Sequence, residues 1–320
     1  MTNSIPISVI MPTYNTKLEM LKEAVESILN QTFWDFEFII VDDGSTNGTD
    51  EYLNGIQDNR VRIIKNPHNI GITKSLNIGL REAGGKYIAR MDADDISLPE
   101  RLEKQFNYME AHSDVVMCGC WLVDFGGKTA IRKIDIGDMD HYRIKMLFDY
   151  PGPWHPTVFL RHETLIKYSI EYDEELPYAE DYALYAELGN LGKVEIVQDV
   201  LLRRRIHPKR VTKECFDLQK QRTLMTHKKL LLRILDDVTD EEVELHYHYS
   251  HEMIFSGIPD AAKCFRWYLK LVCANNRVGE YPKKKFMSYV CKLFMIITLQ
   301  SFMPKAASAI SAVRNRIKYR

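Results

Sequence analysis

Up to about residue 125 the chain alternates short β-branched apolar runs with stretches whose apolar positions recur every three or four residues. Such alternation predicts strand–helix–strand units around a parallel sheet. Ile7–Met11 is the first expected strand, and Leu21, Val25 and Ile28 set a helix over Leu18–Leu29. Phe36–Val41 is the second strand, ending in Asp42-Asp43-Gly44-Ser45, where Gly44 supplies a turn and Ser45 or Thr46 caps a helix running to Leu53. Val61–Lys65 reads as a third strand and Thr73–Glu82 as a helix stopped by Gly84-Gly85. Lys86–Met91, the fourth strand, runs into Asp92-Ala93-Asp94-Asp95. Pro99 opens a helix to Ala111, and Val115–Val123 is the fifth strand.

Residues 126–178 read as loop-rich, because Pro151, Gly152, Pro153 and Pro156 crowd around Trp154 and His155. Those two aromatic side chains suit either a ligand contact or a packed Trp-Pro cluster. Glu180–Leu188 has helical spacing, Val194–Arg205 reads as a strand, and nearly everything from Thr212 onward is helical. The pattern predicts an α/β domain over 1–210 and a helical region over 211–320.

With 320 residues the chain has room for one large domain and a smaller appendage. Its 45% apolar and 27% charged residues exclude a disordered or fibrous chain. A formal net charge of −1 gives no global reason to hold nucleic acid, and no nucleic-acid partner is expected. The balance hides an asymmetry. Residues 261–320 hold thirteen Lys or Arg and a single acid, Glu280, so this basic region carries +12 and the rest of the chain −13. Ala262–Leu271 and Phe286–Phe302 interleave basic with apolar residues as interfacial helices do, so an anionic membrane surface is the expected partner of this region. The competing reading is a helical bundle or oligomer contact, with Lys283-Lys284-Lys285 as a solvated turn. Phe286–Met303 is too interrupted, by Lys292 and Gln300, to read as a spanning helix. Met1–Asn15 lacks the basic flank of a signal peptide, so a cytoplasmic body, peripheral at the inner face of the cell membrane, is expected. The six cysteines form no C-x-x-C pair and read as reduced, mostly buried thiols.

In a parallel sheet, ligands gather beyond the carboxyl ends of the strands. Pro12-Thr13-Tyr14-Asn15 after the first strand offers backbone groups and a tyrosine ring to a flat base. Asp42 and Asp43 offer carboxylates to a base N–H or a ribose hydroxyl. The carboxylates of Asp92, Asp94 and Asp95 repel one another, and a hard divalent ion that also takes phosphate oxygens is the simplest compensation. Solvated aspartates capping the next helix are the alternative. No G-x-G-x-x-G follows the first strand and no G-x-x-x-x-G-K-[ST] occurs, which argues against dinucleotide-binding and P-loop enzymes. His246, His248 and His251 read as positions on a solvated helix.

Taken together, Ile7–Asn15 (ISVIMPTYN), Ser27–Phe33 (SILNQTF), Val41–Ser45 (VDDGS), Asn69 with Gly71, Asn77 with Gly79, and Asp92–Asp95 (DADD) resemble glycosyltransferase family 2, in that family's order and spacing. The resemblance covers roughly residues 5–210. It implies the GT-A fold: α/β, Rossmann-like, a mostly parallel sheet with flanking helices, here followed by a C-terminal helical region. It also implies a nucleotide-sugar donor, a divalent metal (Mn²⁺ or Mg²⁺) and an inverting single displacement. Carried over by position, Asp43 resembles the base-binding aspartate with Asp42 beside it, and Pro12, Thr13, Tyr14 and Asn15 resemble the uridine-contacting loop. Asp92 and Asp94 match the D-x-D motif, with Asp94 as the direct metal ligand. Tyr178–Tyr182 (YAEDY) resembles the acidic motif whose aspartate is the general base, which gives that role to Asp181. Arg205-Ile206-His207 resembles the R-x-H segment whose histidine completes the metal shell, which gives that role to His207.

The Q-x-x-R-W motif of processive synthases is absent, since Arg266-Trp267 lacks the preceding Gln, so transfer of a single sugar is expected. The resulting reading is an inverting hexosyltransferase-type enzyme that moves one sugar from a UDP-sugar to a glycan or lipid-linked acceptor in surface-polysaccharide synthesis. A non-catalytic nucleotide- or glycan-binding subunit is the alternative from another class. A nucleotidyltransferase on a related fold needs a Gly-rich basic loop after the first strand, and Pro12–Asn15 has neither property.

Overall fold

The computed structural model describes residues 5–206 and 216–302. Nine strands form one sheet: β1 (Ile7–Thr13), β2 (Phe36–Asp42), β3 (Val61–Lys65), β4 (Tyr87–Arg90), β5 (Ile96–Ser97), β6 (Val115–Phe125), β7 (Ala130–Arg132), β8 (Phe159–Arg161) and β9 (Lys193–Arg205). Their order is β3-β2-β1-β4-β8-β6-β9-β5, with β7 paired to β6. β1 runs parallel to β2 and β4, and β2 parallel to β3. Beyond β4 the sheet is mixed. β8 is antiparallel to β4 and β6, β7 to β6, and β5 to β9, while β6 and β9 are parallel. The α/β arrangement expected from the N-terminal pattern is present, with its parallel part concentrated in the first four strands.

Local chemistry explains this core. Every residue of β1 is buried, as a central parallel strand covered on both faces requires. Helix α1 (Leu18–Leu29) turns Leu21, Ala24, Val25 and Ile28 inward at three- and four-residue spacing. After α2 (Thr49–Asn54), helix α3 (Ile72–Glu82) approaches β1 so closely that a Cβ on Gly79 would strike Ile10 Cγ2. Helix α4 (Arg101–Ala111) begins two residues after Pro99.

The segment 126–178 is more ordered than its composition suggests. It holds β7, helix α5 (Met139–Phe148), a 3₁₀ turn at His155–Thr157, β8 and helix α6 (His162–Tyr168). Pro151, Pro153 and Pro156 lie between α5 and β8, and Pro156 sits in the first turn of the 3₁₀ segment, where a missing N–H does no harm. Helix α7 (Glu180–Leu188) then leads into β9.

The chain divides into two compact units. One takes the residues up to Ile134 together with Pro153–Phe216. The other takes Asp135–Gly152 and the chain from Asp217 onward. This second unit contains α5, α8 (Phe216–Leu231), α9 (Asp240–Tyr247), α10 (Ile258–Val278) and α11 (Lys283–Phe302). α5 belongs here because the Phe148 ring packs against His246, Tyr268 and Tyr289, with centroids 5.0, 6.0 and 5.2 Å away. α9 opens on a reciprocal cap between Thr239 and Glu242.

Two expectations change in this unit. His246 is fully buried rather than solvated: Trp267 Nε1 donates to its Nδ1 (3.2 Å), so Nε2 carries the proton and donates to Leu147 O (2.7 Å). His251 stacks on Tyr247 at 4.1 Å and His248 pairs with Glu252, both partly exposed. Lys283-Lys284-Lys285 starts a helix rather than forming a turn. Among the described cysteines none is disulfide-bonded; Cys118, Cys120 and Cys264 are buried, whereas Cys273 and Cys291 are exposed.

Candidate active site

Because β2, β1 and β4 are adjacent and parallel, the loops that follow them leave the same edge of the sheet. Pro12 is still within β1, opposite Val41, and Thr13 lies opposite Asp42. Asp43 N–H donates to Thr13 O (2.8 Å), which draws the first two loops together. Asn15, with φ +48°, completes that join: its Oδ1 accepts from Thr46 N–H (2.8 Å) and its own N–H donates to Ser45 Oγ (2.9 Å). Ser45 and Thr46 are therefore occupied by the loop rather than by helix capping, and α2 starts after Gly48 instead. Thr13 is buried, with its hydroxyl on Thr16 (3.0 Å), while the Tyr14 ring is half exposed at the rim.

The two acids after β2 divide the work. Asp43 holds the loop after β3: its Oδ1 accepts from Asn66 Nδ2 (2.8 Å) and Ile70 N–H (3.0 Å), and its Oδ2 from Gly71 N–H (2.9 Å). Asn69 and Gly71 lie in that loop, and Gly44 at φ +74° lets it pass close, since a Cβ there would come within 2.7 Å of His68 backbone. Asp42 accepts only from Ser45 N–H (3.1 Å) through Oδ1. Its buried Oδ2 has no hydrogen-bond partner among the described residues. A buried carboxylate oxygen without a donor is costly, so this corner is built to receive an N–H or O–H.

After β4, carboxylate oxygens of Asp92, Asp94 and Asp95 lie within 4.8 Å of one another. Two arginines approach them. Arg90, buried, pairs with Asp92 (2.7 Å). Burial disfavours its charge, but the Asp92 carboxylate outweighs that and holds its pKa above the ordinary value. Arg205, at the end of β9, donates its backbone N–H to Asp95 Oδ1 (2.8 Å) and its Nε to the Asp94 carbonyl (2.9 Å), and pairs with Glu23 of α1. Burial, then repulsion from Asp92 and Asp94, pushes the Asp95 carboxyl well up, and its Oδ2 has no partner among the described residues. Three hard oxygen donors with excess negative charge and a buried orphan oxygen fit a Mg²⁺- or Mn²⁺-sized ion. All three acids that the sequence put together after the fourth strand thus lie in one cluster.

Asp181 stands at the start of α7, beside Glu180. Glu180 is buried, and burial followed by the Asp181 charge raises its pKa to about 7; its Oε2 has no partner among the described residues. Tyr172 links this side to the acidic loop. Its buried phenol meets His155 Nε2 at 2.9 Å and lies in the field of Arg90, Glu180, Asp181 and Asp92; burial is the main cause of its raised pKa. His155, pushed well down by burial and by Arg90, is neutral. Asp181 and Asp92 thus share Tyr172 as an intermediary, while Arg90 faces Asp92 and Glu180. His207 falls outside the described residues.

Several positioning residues carried no local signal. Asn77 clamps Tyr172 on both sides, donating to its carbonyl (2.8 Å) and accepting its N–H (2.9 Å). Gln31 reaches Ser97, Leu98 and Leu102, fixing the start of α4. Arg101 is fully buried and donates to the Arg90 carbonyl (2.7 Å), which fixes the strand end that leads into the acids. Asn77 and Gln31 were visible as motif members, but their partners lie 66–95 residues away.

Comparison with known proteins agrees with this geometry. Residues 8–172 match the model of the family described as glycosyl transferase family 2. The amylovoran biosynthesis glycosyltransferase AmsE of Erwinia amylovora is 34% identical over 205 residues, covering 61% of this chain and 74% of that one. The 1–349 fragment of S. aureus TarS in complex with UDP-GlcNAc superposes with a TM-score of 0.62 at 18% identity, over 92% of this chain and 86% of that one. The mannosyltransferase PcManGT of Pyrobaculum calidifontis, in complex with GDP-Man and Mn²⁺, gives 0.55 at 18% identity, over 98% and 88%. At such identity the two structures establish likeness of fold.

Proposed function

Because the chain belongs to glycosyltransferase family 2 and is related to polysaccharide-biosynthesis enzymes, we propose that it transfers one hexose from a UDP-sugar, with inversion, to a glycan or lipid-linked acceptor at the inner face of the membrane. The observation that carries the reading is the clustering of three carboxylates after β4 on the same sheet edge as the orphan acceptor of Asp42. Tyr14 and the Pro12–Asn15 backbone offer a platform for the base, and Asp42 with Asp43 takes the polar edge of the nucleoside. Asp92, Asp94 and Asp95 would hold Mn²⁺ or Mg²⁺, with His207 completing the shell. When bound, such an ion stabilises the charge that develops on the departing diphosphate.

The protein's own part in the chemistry falls to Asp181. Its carboxylate accepts the proton of an acceptor hydroxyl as that oxygen attacks the anomeric carbon and the bond from that carbon to the diphosphate oxygen breaks on the opposite face. Glu180 and Tyr172 set the field in which this base works. The test is UDP release from a panel of UDP-sugars with Mn²⁺. Turnover by the wild type and its loss in Asp94→Ala, with unchanged thermal unfolding, support the reading. Undiminished turnover in that variant overturns the metal assignment.

A further inference from the structure

The helical unit carries a surface that the transfer chemistry does not use. On α10 the exposed Ile258, Phe265 and Leu269 are spaced by seven and four residues and so share one face, opposite the buried Trp267, Leu271 and Ala274. On α11 the exposed Met287, Cys291 and Met295 recur every four residues, and Phe302 continues the stripe seven residues on. The two stripes are joined where the Phe265 ring meets Phe294 edge-on, with centroids 5.7 Å apart. Each helix therefore buries one face and leaves a second apolar face in water, a combination that marks an interaction surface.

Charge identifies the partner. Arg266 and Lys292 each follow an apolar stripe residue by one position and so border the patch, Lys284 lies one turn before Met287, and Lys283 precedes it. None of these four cations has an ion-pair partner among the described residues, whereas the neighbouring Lys270, Arg277 and Lys285 are neutralised by Glu242, Asp236 and Asp138. The sequence beyond Phe302 adds five more Lys or Arg and no acid. A second copy of the chain docking through the same two-fold face would set these cations against one another. No helix among the described residues is long and apolar enough to cross a membrane, so the fitting geometry lies in the membrane plane.

We propose that the joint face of α10 and α11 docks on an anionic lipid surface, Phe265, Leu269, Met287 and Met295 entering the headgroup boundary while Arg266, Lys283, Lys284 and Lys292 meet lipid phosphates. This rests on the peripheral-membrane part of the proposed function and is independent of sugar transfer.

The test is co-flotation of the full chain with vesicles of pure phosphatidylcholine or of phosphatidylcholine with phosphatidylglycerol. Binding should require the anionic lipid and weaken in ~1 M salt, where charges are screened within ~3 Å. Lys283→Gln, Lys284→Gln and Lys292→Gln together should lower partitioning roughly fivefold per charge. Leu269→Glu with Met295→Glu, both at exposed positions, should lower it at least tenfold while thermal unfolding and UDP release stay as in the wild type. Absence of wild-type binding to anionic vesicles, or equal binding to neutral ones, overturns the peripheral-membrane reading itself. Wild-type binding retained in both sets of variants leaves that reading standing and overturns the assignment of this face.

Discussion

At the scale of single residues, the paired acids beside α7 separate binding from chemistry. Asp181→Asn keeps the side-chain volume but removes the basic lone pair. Donor affinity should stay within a factor of about two, while kcat falls by the 10²–10⁴ typical of a lost general base. Steady-state kinetics with a separate titration of UDP checks this; weakened UDP binding at unchanged kcat would move Asp181 to the donor site. The acids themselves were legible in the sequence because each cluster is a short linear motif at the end of a predicted strand. What tunes them was not. Arg90, Tyr172 and His155 come together from β4, the loop before α7 and the Pro-rich turn, and no spacing rule connects them. The division between Asp42 and Asp43 was equally hidden, because it depends on where the amides of Ile70 and Gly71 fall.

At the scale of elements, the N-terminal strands and helices follow directly from their apolar periodicity, since long, buried, regular segments leave the strongest signal. β5, β7 and β8 do not, because two or three residues cannot establish a period. α5 and α6 were obscured by the prolines between them. The loop before α7 depends on α3 through Asn77. Asn77→Ala would strip both partners from the buried Tyr172 peptide groups, and at ~1–3 kcal/mol per orphaned group the variant should lose roughly 2–6 kcal/mol of stability. Urea unfolding measures the loss. Asn77→Asp keeps the acceptor for Tyr172 N–H but sets a buried carboxylate oxygen against the Tyr172 carbonyl and Glu174, so it should cost at least as much as Ala; equal stability of both variants and the wild type would remove Asn77 from this role.

At the scale of the whole molecule, the charge asymmetry and the helical character of the second half were readable from composition. The membership of Asp135–Gly152 in the second unit was not, because α5 is held by rings about a hundred residues further on. Those same rings make the unit sensitive to acid. Burial, then repulsion from neighbouring histidines, pushes His227 well down; burial, offset in part by the bond to Leu147 and aided by repulsion from His251, leaves His246 at about 4. Unfolded, each would titrate near 6.5. Between these limits the unfolded chain binds protons that the folded chain refuses, so the contribution is complete above pH ~6.5 and is lost as pH falls towards 4. His246 alone accounts for roughly 3 kcal/mol by pH 4. Urea unfolding followed by Trp267 fluorescence should therefore show lower stability at pH 5 than at pH 7.5, and a flat profile would contradict the burial of these rings. The central claim, inverting cleavage of a nucleotide-sugar at the acidic sheet edge, is tested most directly by time-resolved proton NMR of the sugar released from α-linked UDP-sugars with Mn²⁺. The account predicts that the β anomer appears first and that Asp181→Asn suppresses it; first appearance of the α anomer, or no cleavage of any donor, would contradict it.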